Sequence, residues 1–191
     1  EDDRIPNTRE KALKIGYFDP FSGASGDMML GAIVDAGLPI KALRDELRKL
    51  PLEEYTLTAT ETQRGGIAAT KVNVKLKGRK HAHDDDHDHN NLPQILHLIE
   101  HSDLPGDDKA QASAVFQRLA EAEGRVHGCP PEKIHFHEVG ALDAIVDVVG
   151  AVVGLHLLGV DQVWASAVHV GTGFVDCQHG RLPLPAPATM E

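Results

Sequence analysis

KIGYFDPFSGASGDMMLGAIVDAG, from Lys14 to Gly37, decides the fold. Lys14 to Phe18 has the alternating apolar texture of a short strand. Asp19 to Asp27 (DPFSGASGD) is a glycine- and serine-rich turn, and Met28 to Ala36 is a helix that Gly37 and Pro39 stop. Strand, glycine-rich loop and helix in that order predict an α/β chain: a layered sheet with packed helices.

Working outward, a second helix is expected from Ile40 to Leu50, with Leu43, Leu47 and Leu50 inward. Tyr55 to Gln63 and Ala69 to Leu76 alternate around RGG (Arg64 to Gly66), which predicts a β-hairpin. Helices follow at Leu92 to Ile99 and Asp107 to His127, the latter with Val115, Leu119 and Val126 as its apolar stripe. Lys133 to Phe136 reads as extended, Leu142 to Leu158 as one buried apolar helix, and Val163 to Val170 as a last strand. The end, GTGFVDCQHGRLPLPAPATME, reads as loop. It has no capping element, so residues 1–191 are expected to be one domain of something longer.

The formal net charge is −10, which argues against a nucleic-acid partner and favours attraction of cations. Ala141 to Gly159 is apolar, but Asp143, Asp147 and His156 interrupt it, so no membrane is expected. Cys129 and Cys177 lie far apart without a C-x-x-C pattern, and a reduced cytoplasmic setting is expected.

Residues 80–91 read KHAHDDDHDHNN, with nothing larger than Ala82 to bury, so a disordered loop is expected. His81, His83, His87 and His89 alternate with Asp84, Asp85, Asp86 and Asp88. Neutral imidazole suits nickel, zinc and copper, and a flexible backbone makes binding exchangeable. Capture and delivery fit that chemistry; a solvated polar loop is the bland alternative.

Two further blocks carry polar groups. In DPFSGASGD, Gly23 and Gly26 permit tight turns, while Ser22, Ser25 and Asp27 stand where helix caps belong. Free N–H groups there could hold an anion, although no lysine makes it a Walker loop. Asp19 faces a possible metal or substrate at the strand end, and a capped β-to-α turn is the equal alternative. In HFHEVGALDAIVD, His135 and His137 share one side of an extended piece, with Glu138 following, and Asp143 and Asp147 share one helix face. Carboxylates in an apolar helix are costly unless paired or bound to a cation, so these groups form a candidate divalent site. The alternative has Asp143 capping the helix and His135 on a backbone carbonyl. His179 and Arg181 could reach an anion, as could His169 before GTG.

FDPFSGASGDMMLGAIVDAG, HFHEVGALDAIVDVVG and HGRLPLPAPAT together resemble the LarC family of nickel-insertion proteins of the lactate racemase cofactor pathway. The resemblance implies insertion of nickel into a pyridinium bisthiocarboxylate mononucleotide, a lyase-class metallochelatase reaction that consumes CTP with manganese or magnesium. It maps the variable metal-binding loop onto His81, His83, His87 and His89. Asp19, Asp27, His135, His137, Glu138, Asp143 and Asp147 are carried over as site residues; apart from the resemblance, the anion-binding chemistry of the turn makes Ser22, Gly23, Ser25 and Gly26, helped by His179 and Arg181, the expected contacts to the substrate's phosphate. Family members continue into a C-terminal region to which CTP binding is expected to belong, so that region is an expected partner. A homo-oligomer is left open. The competing functions are a nickel or zinc buffer without catalysis and a metal-dependent phosphohydrolase.

Overall fold

The computed structural model describes residues 12–52, 55–76, 91–136, 142–177 and 180–191. The fold is mixed α/β. In chain order come β1 (Ile15–Phe18), α1 (Gly26–Asp35), α2 (Ile40–Leu47), β2 (Tyr55–Arg64), β3 (Ile67–Leu76), α3 (Leu92–Glu100) and α4 (Gly106–His127). A 3-10 turn (Pro131–Lys133), α5 (Leu142–Leu157), β4 (Gln162–Ala165), β5 (Gly173–Cys177), β6 (Gly180–Leu184) and α6 (Pro187–Met190) complete it. Among the described residues no helix is long and apolar enough to cross a membrane.

The expected single sheet is divided among three pairs: parallel β1–β4, antiparallel β2–β3 and antiparallel β5–β6. The β2–β3 hairpin is the one its alternation predicts. Gly65 and Gly66 close it with φ of 56° and 84°, the left-handed pair that a tight two-residue turn demands.

Three glycines let α1 sit close to its neighbours. A β-carbon at Gly31 would lie 2.2 Å from the Thr70 carbonyl oxygen of β3. Added carbons at Gly150 and Gly154 of α5 would meet Leu30 and Ile33 of α1 at 2.9 and 2.8 Å. One core cluster joins Leu30 and Ile33 of α1, Leu43 and Leu47 of α2, Ile95 and Ile99 of α3, and Ile145, Val149 and Val153 of α5.

Several expectations are corrected. The buried stripe of α4 is Ala112, Phe116 and Ala120, with Leu119 partly buried and Val115 and Val126 exposed. Small residues face the core because α4 lies close to its neighbours, and Phe116 reaches Phe136 with ring centroids 6.5 Å apart. Lys133 ends a 3-10 turn rather than starting an extended piece. The last strand stops at Ala165. The C-terminal stretch expected to be loop is a hairpin and a short helix; its glycines and prolines are tolerated because a two-stranded ribbon leaves edge positions without ladder partners. Asn91, expected to close the loop, instead caps α3, its Oδ1 accepting from Gln94 N at 3.0 Å.

Candidate functional site

The carboxyl ends of parallel strands are where α/β folds place ligands, because helix N-termini and loops gather there. Here β1 runs into the Asp19–Ser25 loop, and α1 begins at Gly26. α5 lies beside α1 in the same direction: Asp147 meets Gly26, Gly150 meets Leu30 and Gly154 meets Ile33. Both helix starts therefore meet at this end of the sheet.

Asp147 is the central group. A β-carbon at Gly26 would lie 2.4 Å from its Cβ and its Oδ2, so the carboxylate covers the first turn of α1. Its Oδ1 is buried without a hydrogen-bond partner. Burial pushes the Asp147 carboxyl up to about 6, and the charges of Asp143 and Asp27 push in the same direction. Asp143, one turn earlier on α5, is exposed, and its Oδ1 accepts from Ala144 N at 2.9 Å. Asp27 accepts from Ser25 Oγ and, at 3.0 Å, from Met28 N. Ser25 stands at the N-cap of α1 without giving its side chain to a helix N–H. Three carboxylates thus surround a helix start that by itself favours anions.

The loop is tied to β4. Ser166 Oγ donates to Asp19 Oδ1 at 2.6 Å, and His169 N donates to Pro20 O at 3.4 Å. Within the loop, Phe21 N donates to Asp19 O at 2.9 Å and Gly23 N to Pro20 O at 3.1 Å. Ser22 is exposed, and Gly23 lies against the His169 carbonyl. Ser166 escaped the sequence analysis; its signal was a hydroxyl just past a strand end, too common to single out.

Other expected site residues have different partners or lie outside the described residues. His135 is exposed and forms an isolated antiparallel bridge with Asn91, the residue that follows the His/Asp stretch. Arg181 lies on β6, its guanidinium 4.8 Å from the centre of the Phe174 ring. His81, His83, His87, His89, His137, Glu138 and His179 lie outside the described residues. Among the described residues no group of three or more His, Cys, Asp or Glu side chains is arranged to hold a metal ion.

A groove of about 660 Å³ opens beside the loop, lined by Tyr17, Met28, Val163 and Val168 among others. Near the C-terminal end of α5, His156 Nδ1 and the buried Asp108 Oδ1 are 2.8 Å apart. That pair joins α5 to α4.

The chain matches the family model described as nickel insertion protein over residues 16–191. A relative from Wolinella succinogenes, named for nickel insertion, is 52% identical over 180 residues, covering 94% of this chain and 44% of the relative. The pyridinium-3,5-bisthiocarboxylic acid mononucleotide nickel insertion protein of Desulfitobacterium hafniense is 49% identical over 180 residues, covering 94% of this chain and 43% of its own length. A relative from Dictyoglomus thermophilum, also named for nickel insertion, is 40% identical over 179 residues, with 94% and 45% covered. The chain thus spans less than half the length of these relatives. No solved structure matches it. With the match running from β1 to the last residue and relatives at about half identity, the chain belongs to the nickel insertion protein family.

Proposed function

We propose that this chain gathers Ni²⁺ and helps to place it in a pyridinium bisthiocarboxylate mononucleotide, the compound in the name of the D. hafniense relative. The observation that carries this reading is Asp147: a carboxylate with a buried, partnerless oxygen, beside Asp143 and Asp27 at the meeting of two helix starts. A group so placed is costly alone and favourable with a cation.

The two ligand sets suit different metals. Carboxylate oxygens are hard donors that suit manganese or magnesium; imidazoles suit nickel. We assign the nickel cargo to His81, His83, His87 and His89, and a hard cation to Asp147 with Asp27 and Asp143 near it, its donor set completed by the mononucleotide's phosphate because no three described side chains hold a metal ion; His135, His137 and Glu138 lie in sequence between the loop and Asp143. When bound, manganese or magnesium would supply positive charge that offsets a phosphate. Asp147 would give up its proton as the cation arrives. Ser22, Gly23, Ser25 and Gly26 would present the loop and the first turn of α1 to the mononucleotide's phosphate, with Asp19 held in place by Ser166. The bridge from His135 to Asn91 ties one end of the His/Asp stretch to the block that leads into α5. Imidazoles hold Ni²⁺ exchangeably, and softer thiocarboxylates would take it by ligand exchange. His179 and Arg181 are assigned to substrate contact, CTP use to the complete protein, and the product to the nickel-pincer cofactor of lactate racemase.

Calorimetric titration tests the division. Ni²⁺ and Mn²⁺ are titrated into the chain, into Asp147→Asn and into a variant lacking residues 80–90. Loss of most Ni²⁺ binding in the deletion, with Mn²⁺ binding lost only in Asp147→Asn, is the expected pattern. Mn²⁺ binding indifferent to Asp147→Asn would sink the assignment.

A further inference from the structure

β1 and β4 form a parallel pair. Parallel strands are normally covered on both faces, and a two-stranded sheet alone is marginal. Register puts Ile15, Tyr17, Gln162 and Trp164 on one face, and Gly16, Phe18, Val163 and Ala165 on the other. Apart from Gln162, whose side-chain oxygen accepts from Trp164 Nε1 at 3.2 Å, both faces are apolar, as in strands buried on both sides. Yet Tyr17 is 63% exposed, Trp164 57% and Val163 54%.

The adjoining groove continues this surface, with Met28 and Val168 also more than half exposed. Its two charged groups are engaged: Lys14 Nζ donates to the Leu158 carbonyl at 2.6 Å, and Asp19 accepts from Ser166. A phosphate-bearing small molecule needs convergent polar partners that this wall does not offer. A polypeptide with apolar side chains instead needs an apolar wall and a strand edge for its backbone N–H and C=O groups, and the two-stranded β1–β4 pair offers both. The matched region is 44% and 43% of two relatives, so more than half of each lies beyond it.

We propose that the β1–β4 pair and its groove are the docking surface for the part of the nickel insertion polypeptide that the relatives carry beyond the matched region. That part lays apolar chain against Tyr17, Val163 and Trp164, and completes the parallel sheet. A second copy fits less well, because edge-to-edge pairing of two copies extends the sheet without filling the groove. The proposal rests on family membership and the exposed surface, and is independent of the metal assignment.

Hydroxyl-radical footprinting reads Tyr17, Met28 and Trp164 one by one; Trp164 is the sole tryptophan of the chain. The chain is compared with a single polypeptide in which it replaces the matched region of the D. hafniense relative. Several-fold loss of labelling at Tyr17, Met28 and Trp164 in the joined, monomeric polypeptide is expected, with slower amide exchange in peptides covering β1 and β4. Tyr17→Ser with Val163→Ser should restore labelling at Trp164. Because the wild-type comparison stands alone, misfolding of that variant would not rescue a failed proposal. Equal labelling in both polypeptides overturns it. So does protection in the chain alone that rises with concentration alongside a dimer in ultracentrifugation, which would assign the face to a second copy.

Discussion

Asp147 lies so close to Gly26 that a β-carbon there would fall 2.4 Å from the aspartate's Cβ and Oδ2 and 2.7 Å from its Cγ. The first turn of α1 and the carboxylate of α5 therefore occupy one another's space, and glycine is what permits it. At the first position of a helix, Gly26→Ala would ordinarily be tolerated. Here it must push Asp147 away or part the two helices, and overpacking costs about 1–3 kcal/mol. We expect urea unfolding to show a net loss of stability, and Mn²⁺ binding to weaken with it. Unchanged Mn²⁺ affinity in a folded Gly26→Ala protein would show that Asp147 need not sit over this turn.

The Asp147 carboxyl is raised from 3.8 to about 6. The native state then holds a proton that the unfolded chain has released, so stability falls as pH rises between those values. The penalty is absent below the unfolded value and complete above the folded one. Asp147→Asn removes it. The variant should match the parent near pH 4 and exceed it by about 2 kcal/mol near pH 7, from the pKa difference discounted for partial exposure. Saturating Mn²⁺ should close the gap by stabilising only the parent. Denaturant titrations across pH, with and without Mn²⁺, check both; a pH-independent difference would contradict the raised carboxyl.

What the sequence revealed, and what it hid, follows from range. The β2–β3 hairpin was legible because alternation and its Arg64-Gly65-Gly66 turn are local. Asp147 was legible as an expensive carboxylate in an apolar helix. Its position over Gly26 was not, since nothing local links the two. The α4 stripe was misread because Ala112 and Ala120 gain burial by allowing close approach, which hydrophobicity alone does not mark. The C-terminal hairpin was missed because Gly173, Gly180 and Pro183 look like loop residues, while Phe174, Val175 and Leu182 still pair across the ribbon. For His135, the two-residue spacing to His137 suggested a shared face, but its described partner is the backbone of Asn91.

Asp108 is buried in the first turn of α4 and meets His156 at 2.8 Å. His156→Ala takes away that partner and leaves a buried carboxylate dependent on the helix start alone. Leaving a buried polar group short of its hydrogen bond costs about 1–3 kcal/mol. His156→Ala should therefore lower the unfolding midpoint by that equivalent while leaving Ni²⁺ and Mn²⁺ titrations unchanged, because the pair lies about 14 Å along α5 from Asp147. A change in either titration would tie this pair to the metal chemistry.

Gly31 and Gly150 offer a contrast within the same helix contacts. At Gly31 the obstacle to a methyl group is the Thr70 carbonyl oxygen at 2.2 Å, part of a strand whose Thr70 N and Oγ1 both donate to Asp35. Backbone fixed in that way cannot step aside, so Gly31→Ala must separate α1 from β3, with a cost at or above the upper end of the usual 1–3 kcal/mol. At Gly150 the obstacle is the far end of Leu30 at 2.9 Å, which can turn, and helix propensity returns about 1 kcal/mol. Gly150→Ala should therefore be nearly neutral, and Gly31→Ala severely destabilising by denaturant unfolding. Equal costs at the two positions would mean that β3 yields as readily as a leucine side chain, and that α1 is not held against the hairpin as tightly as this contact requires.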